Sequence, residues 1–321
     1  VEINKIYNED CLITMSRMSD NFVDLVVTSP PYDDLRTYGG CHSFFDFEKI
    51  AKELFRVTKQ GGVVVWIVGD AVINRSETGT SFKQALYFKK IGFNLHDTMI
   101  YQKNNFSKPS SNRYHQIFEY MFVFSKGKPN TFNPIKDRKN VYEGHIGSWG
   151  KNVTRQKDGS MKESSKKIIV PYGQRYNIWL CKVGHEKKFV YKHPAVFPIQ
   201  LAKDHIISWS NKGDVVYDPM MGSGTTVEAA ILLNRKYIGS EISKEYYDIA
   251  KKRIYVNGGN TMPRRNKTGP PRDARGPRDG RGRGKGFHAL KDEEGEGAMM
   301  GGKLGLRKNS KIKKKNKKKK K

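Results

Sequence analysis

Residues 63–68, VVVWIV, are apolar without a break. A strand with one wet face alternates apolar and polar residues. One that is apolar at every position has both faces covered, as when helices lie on either side of a parallel sheet. The surrounding sequence fits that arrangement. Residues 22–28 (FVDLVVT), 95–102 and 117–124 read as further strands. Between the first two strands, residues 44–57 place Phe47, Ile50, Ala51 and Leu54 on one helical face, with Gly61-Gly62 beyond the end. Ser81 and Gln84 have capping-box spacing for a helix running to about Lys90. Later segments read as a helix over 195–208, a strand over 215–218, a helix over 225–234, a strand over 236–241 and a helix over 243–256 with Ser243 as N-cap. Strands separated by helices predict an α/β fold with a doubly wound, mostly parallel sheet.

Two stretches break this rhythm. Residues 125–192 are rich in Lys, Gly, Asn and Ser with scattered aromatics, and read as an insertion or small subdomain. From Asn257 the chain turns to Gly/Pro/Arg and then nearly pure lysine, a composition that buries too little apolar area to offset the entropy of ordering. A mean hydropathy of −0.71 over 321 residues agrees with part of the chain staying unfolded. The expected division is therefore 1–124, 125–192, 193–256 and a disordered basic tail over 257–321. The net charge is +28, with 22 Lys/Arg against 6 Asp/Glu in the tail and 38 against 26 in residues 1–256. Both parts favour a polyanionic partner: nucleic acid first, an acidic membrane surface second. No apolar run reaches membrane-spanning length, and the N-terminal VEINKIYNEDC has no apolar core of a signal peptide. Cys11, Cys41 and Cys181 form no CxxC pair, which argues against a zinc or disulfide framework and for a reducing compartment.

Two motifs carry chemistry. The strand at 22–28 runs into Ser29-Pro30-Pro31-Tyr32. Proline leaves the sheet ladder, so this corner is rigid, and taken alone it equally suits a plain strand terminator. Asp218-Pro-Met-Met-Gly-Ser-Gly-Thr-Thr226 lies between a strand and a helix, and Gly222 and Gly224 permit close backbone approach by a ligand. Glu241 ends the next strand, where an acidic side chain reaches ribose hydroxyls in nucleoside-binding βαβ units. The turn lacks the spacing for a dinucleotide and the lysine of a P-loop. The combination favours an adenosine-bearing cofactor without a pyrophosphate.

TSPPY followed about 190 residues later by DPMMGSGTT resembles the amino-group DNA methyltransferases that use S-adenosylmethionine, in the motif order of their beta class. NEDC (8–11), the 53–70 segment, HPAVFPIQLAKDHI (193–206) and YIGSEISKEYYDIAKKRI (237–254) resemble further family elements in the same order. The resemblance implies a Rossmann-like methyltransferase fold, with 1–124 as the catalytic half, 125–192 as the target-recognition insertion and 193–256 as the cofactor-binding half. It assigns catalysis to Ser29, Pro30, Pro31 and Tyr32. It assigns S-adenosylmethionine to Asp10 and the neighbouring Cys11 at the adenine, Glu241 at the ribose, and Asp218, Met220, Gly222, Ser223, Gly224 and Thr225 around the methionine moiety, with Phe197 packed beside it. Met220 stands where the family usually has Phe, and a polarizable thioether fills similar space. Each position also has an ordinary structural reading: a turn cap for Asp10, a loop brace for Asp218, core for Phe197.

On that reading, the Ser29 hydroxyl and Pro30 carbonyl accept hydrogens of an exocyclic base amine, while Tyr32 offers a stacking face to a base drawn out of the duplex. Serine before Pro-Pro-Tyr goes mainly with cytosine N4 in the family, and adenine N6 is the alternative. C5 methylation requires a cysteine nucleophile, and none follows a proline in a catalytic-loop context. Double-stranded DNA is the implied partner. Arg138, Arg155, Gln156, Gln174 and Arg175 are candidate contacts in the insertion, and the tail adds salt-sensitive affinity. An RNA or protein amide methyltransferase and a catalytically silent nucleic-acid-binding protein are competing readings. A cognate restriction endonuclease and a monomer or homodimer are compatible with the sequence. The expected setting is the cytoplasm, or a nucleus given the lysine-rich end, and not secretion.

Overall fold

The computed structural model describes residues 1–31, 45–106, 111–145, 153–163, 168–181 and 197–258. All belong to one compact unit within Val1–Lys267, and the tail beyond Gly258 lies outside the described residues. In chain order the elements begin with β1 (Lys5–Tyr7), α1 (Cys11–Ser16), β2 (Val23–Thr28), α2 (Phe47–Val57) and β3 (Thr58–Val68). A small hairpin, β4 (Val72–Ile73) and β5 (Ser76–Glu77), leads into α3 (Thr80–Lys90), β6 (Asn94–Lys103) and β7 (Phe118–Ser125). Short strands β8 (Arg138–Lys139), β9 (Val153–Arg155), β10 (Met161–Glu163) and β11 (Tyr172–Gly173) precede β12 (Ile178–Cys181). The chain closes with α4 (Ile199–Trp209), β13 (Val215–Asp218), α5 (Thr225–Leu232), β14 (Lys236–Ser240) and α6 (Lys244–Gly258).

Eight strands form the main sheet in the order β1-β14-β13-β2-β3-β7-β6-β12. Five of its seven pairings are parallel, and β7 runs antiparallel to both β3 and β6. The doubly wound, mostly parallel sheet expected from the sequence is present. The apolar run of β3 divides between two cores. Val64, Trp66 and Val68 join Met15 of α1, Ile50 and Leu54 of α2 and Phe88 of α3. Val63, Val65 and Ile67 join Leu201 and Ile206 of α4 and Ala229 and Ala230 of α5. β2 splits the same way, with Val23 and Val26 on one side and Leu25 and Val27 on the other. Among the described residues no helix is long and apolar enough to cross a membrane.

Three local expectations are corrected. Ser81 and Gln84 form no capping box. Helix α3 opens at Gly79, Asp70 at the end of β3 accepts from the Ser81 amide (2.9 Å) and hydroxyl (2.5 Å), and Gln84 Oε1 accepts from the buried Trp66 indole (2.8 Å). A buried indole N–H needs an acceptor, and that need takes the glutamine. The helix expected from residue 195 starts at Ile199 with Pro198 as N-cap, because a residue preceding proline is disfavoured in helical geometry. The helix expected to reach Asn234 ends at Leu232, and Asn234 turns left-handed at φ 58°. A fourth difference concerns the 125–192 segment: its residues Ile178–Cys181 are the edge strand of the main sheet, parallel to β6.

Gly239 in β14 shows how tightly the C-terminal part of the sheet is packed. A Cβ there would lie 2.6 Å from Met221 Sδ and 3.0 Å from Val227 Cγ2. Gly239→Ala is expected to cost about 1–3 kcal/mol through overpacking, read as a lowered denaturant midpoint with an unchanged m-value.

Candidate active site

β2 and β13 are adjacent and parallel, so the Ser29-Pro30-Pro31 corner and the Gly-rich turn leave the sheet at the same edge. Backbone pairing between these strands covers only Leu25–Val216 and Val26–Tyr217. Side chains carry the connection further. Thr28, fully buried, donates its hydroxyl hydrogen to Asp218 Oδ1 at 2.8 Å, and Thr226 Oγ1 donates to the Val27 carbonyl at 3.1 Å. Asp218 Oδ1 also accepts from the Met220 amide at 3.2 Å, which shapes the start of the turn. Pro30 is buried, Ser29 and Pro31 are half-buried, and Tyr32 lies outside the described residues.

Glu241 organises the other side. Its Oε2 accepts from the Gly222 amide at 2.9 Å and its Oε1 from the Ser243 amide at 2.8 Å. Each carboxylate oxygen retains acceptor capacity for a further donor. Tyr7 pairs with Ser240, the Glu241 amide donates to the Tyr7 carbonyl (3.0 Å), and Asn8 Nδ2 donates to the Glu241 carbonyl (2.8 Å). The 8–11 segment and Glu241 therefore meet at one edge. Asp10 caps α1 by accepting from the Leu12 amide at 2.7 Å. Cys11 is buried in the first core, and burial together with the neighbouring Asp10 pushes its thiol up. Ser243 begins α6 as expected, its carbonyl accepting from the Tyr247 amide at 2.9 Å.

The Gly turn is held from beneath by α6. Gly224 adopts φ 82°, and a Cβ on it would stand 3.0 Å from Ala250 Cβ, so helix packing as well as backbone conformation requires this glycine. Arg253 is buried, ion-paired to the buried Glu228, and donates through Nη1 to Thr225 Oγ1 (3.0 Å) and Ser223 Oγ (3.3 Å). Ser223 and Thr225 thus have intramolecular partners, and sequence reading missed the arginine that supplies them. It also missed Asn8, Thr28 and Thr226. Each is a small polar residue within a quoted motif that was given no role of its own, and only the strand order reveals what it touches. Met220 packs against the first core and Phe197 against the second.

The candidate DNA contacts separate. Arg175 pairs with Asp137 (2.5 Å) and Asp204 (2.7 Å) and stacks on Trp179, so it braces the edge strand to α4. Arg138 stacks on Tyr176 and donates to the Gln174 carbonyl. Arg155, Gln156 and Gln174 are exposed.

A mostly parallel sheet with a Gly turn after β13 and a buried acid after β14 defines an α/β enzyme of the nucleoside-cofactor-binding class. The chain belongs to the DNA methylase family, whose profile matches residues 23–252. The orphan methyltransferase M.BamHII of Bacillus amyloliquefaciens is 58% identical over 245 residues, 74% of this chain and 90% of that protein. Two solved structures share the fold. The PvuII DNA methyltransferase (cytosine-N4-specific) matches with a TM-score of 0.58 at 20% identity, over 79% of this chain and 87% of its own. A DNA modification methylase of Thermus thermophilus, TTHA0409, solved with S-adenosyl-L-methionine, matches with a TM-score of 0.54 at 23% identity, over 79% and 94%.

Burial raises the Asp218 carboxyl to about 6 and the Glu241 carboxyl to about 7, and Asp218 itself adds to the shift at Glu241. As pH rises, the unfolded chain releases these protons first. The stability linked to each group is present at acid pH and is lost as pH climbs through its folded value. Glu241→Gln cannot ionise. Its stability relative to the parent is therefore expected to rise by about 2–3 kcal/mol between pH 4.5 and 7, measured by urea unfolding across that range.

Proposed function

We propose that this DNA amino-methyltransferase transfers the methyl group of S-adenosylmethionine to cytosine N4 in duplex DNA, with adenine N6 as the second reading. The observation that carries the reaction is the Thr28–Asp218 hydrogen bond, which ties the Ser29-Pro30-Pro31 corner to the Gly turn across adjacent strands. Serine at position 29 supports the choice of cytosine.

The residues present fit the cofactor. Glu241 is a buried carboxylate already fixed by two backbone amides, with lone pairs left for ribose hydroxyls. Asp10 and Cys11 lie beyond the neighbouring strand end for the adenine, and Asp218, Met220, Gly222, Ser223, Gly224 and Thr225 line the turn for the amino-acid portion. Phe197, at the N-terminus of α4, packs alongside. When bound, the cofactor supplies an electrophilic methyl group on a sulfonium. The protein's own contribution is to hold the acceptor amine. Its lone pair is delocalised into the base ring. The Ser29 hydroxyl oxygen and the Pro30 carbonyl accept hydrogen bonds from its two N–H groups and turn the lone pair outward, one of those protons passes to solvent when the nitrogen gains the methyl group, and the prolines fix that carbonyl so that no reorganisation is needed. Tyr32 supplies the stacking face for the extruded base. Arg155, Gln156 and Gln174 meet DNA from the exposed surface of the 125–192 segment, whereas Arg138 and Arg175 act mainly within the protein. The orphan designation of the 58% identical relative supports action without a dedicated endonuclease.

Incubation with methyl-labelled cofactor and mixed-sequence duplex, followed by nucleoside analysis, should yield N4-methylcytosine. N6-methyladenine would move the assignment to the second reading, and no label in DNA would overturn both. Ser29→Ala is expected to lower kcat about 10²–10³-fold with the fold and cofactor affinity retained. Cofactor affinity measured by calorimetry should weaken as pH falls below about 7, where Glu241 takes up a proton and loses acceptor capacity.

A further inference from the structure

The sheet edge that carries the Ser29–Pro31 corner carries a second feature. β2 and β3 are parallel neighbours with Thr28 opposite Trp66, so the end of β3 lies beside that corner. Only Gly69, Asp70 and Ala71 separate β3 from the β4–β5 hairpin. The connection from β6 to β7 emerges at the same edge, because Gln102 pairs with Phe118 and Val68 with Tyr120. Arg113 in that connection donates through Nη2 to the Arg75 carbonyl at the hairpin tip (2.9 Å), and its Nη1 lies 3.8 Å from Glu77. Two segments far apart in sequence are thereby fastened into one unit.

Its surface is unusually apolar for a pair of exposed connections. Val72 and Ile73 are 44% and 51% exposed, and Tyr114 is fully exposed at 101%. Phe106 lies against His115, ring centroids 4.1 Å apart. Asn74 and Arg75 both have positive φ, 50° and 66°, forming a two-residue hairpin turn without glycine that presents the exposed Arg75 at its tip.

We propose that this unit is a second DNA-contacting element, in which Arg75 and Arg113 hold backbone phosphates and Tyr114 stacks in the gap left by the extruded base. The inference rests on the DNA methyltransferase reading and names residues outside the 125–192 segment. A duplex fits this surface through charge complementarity to the exposed guanidinium of Arg75 and that of Arg113, which together outweigh the one Glu77 carboxylate beside them, and through continuity with the edge where the target base must enter. Drawing a base out of the stack costs stacking and pairing free energy, and an aromatic ring taking its place offsets part of that.

The test uses the full chain and a duplex bearing the site that the parent protein methylates. Arg75→Gln and Arg113→Gln should each raise KM for DNA several-fold, reduce the slope of log affinity against log salt by about 1, and leave cofactor affinity unchanged. Tyr114→Ala should lower kcat/KM about tenfold on paired duplex and recover to near the parent value when the target base faces an abasic site. Unchanged salt slopes in both arginine variants, or equal Tyr114→Ala losses on the two duplexes, would overturn the proposal while parental methylation still stood. Absence of parental methylation would instead remove the underlying reading and the proposal with it.

Discussion

The hydrogen bond from Thr28 to Asp218 joins the ends of two adjacent strands that carry the two sequence motifs. It crosses between the last residue of β2 and the last residue of β13, at the point where their backbone ladder has already ended. Without it the Ser-Pro-Pro corner and the Gly turn would be two loops leaving one sheet edge. With it, an angle and a spacing are set by a buried contact that water cannot screen. Burial raises the Asp218 carboxyl to about 6, and the hydrogen bonds from Thr28 and the Met220 amide oppose that rise. The Thr226 bond to the Val27 carbonyl repeats the tie one layer deeper.

Around that junction the buried polar groups occur in satisfied sets. Glu241 takes two amides, Arg253 takes one carboxylate and two hydroxyls, and Tyr217, Ser240 and Thr14 form a hydroxyl chain at 3.0 and 2.9 Å. Each set links elements distant in sequence and near in space. Rigid placement of acceptors for a weak nucleophile depends on this kind of support, since a displaced acceptor is repaid with solvent reorganisation.

Much of the fold was legible because burial leaves a periodic trace. The unbroken apolar run of β3 required two covered faces, and two cores are found there. The motif corners were legible because proline and glycine restrict the backbone in ways that do not depend on neighbours. What stayed hidden was pairing at long range. Gln84 has the spacing of a cap, yet an indole eighteen residues earlier claims it. Arg175 has the composition of a DNA contact and is spent on Asp137 and Asp204. Ile178–Cys181 lies in a polar stretch and still completes the sheet, because an edge strand needs only one buried face and shows it by two residues, Trp179 and Cys181. Gly224 reads as a ligand approach and is also where α6 lies closest.

The order of the sheet has a consequence for how the chain could be cut and rejoined. β1 belongs to the beginning of the chain yet lies outside β14, so the first strand extends the layer built by the last elements. The Ser-Pro-Pro corner and the Gly turn meet because β2 and β13 are neighbours in space, and nothing in that meeting refers to which is translated first. A gene rearranged so that the segment from α4 to α6 precedes β1 would encode the same neighbours and the same buried bond. The bond depends on which strands are neighbours, not on the order in which the chain supplies them.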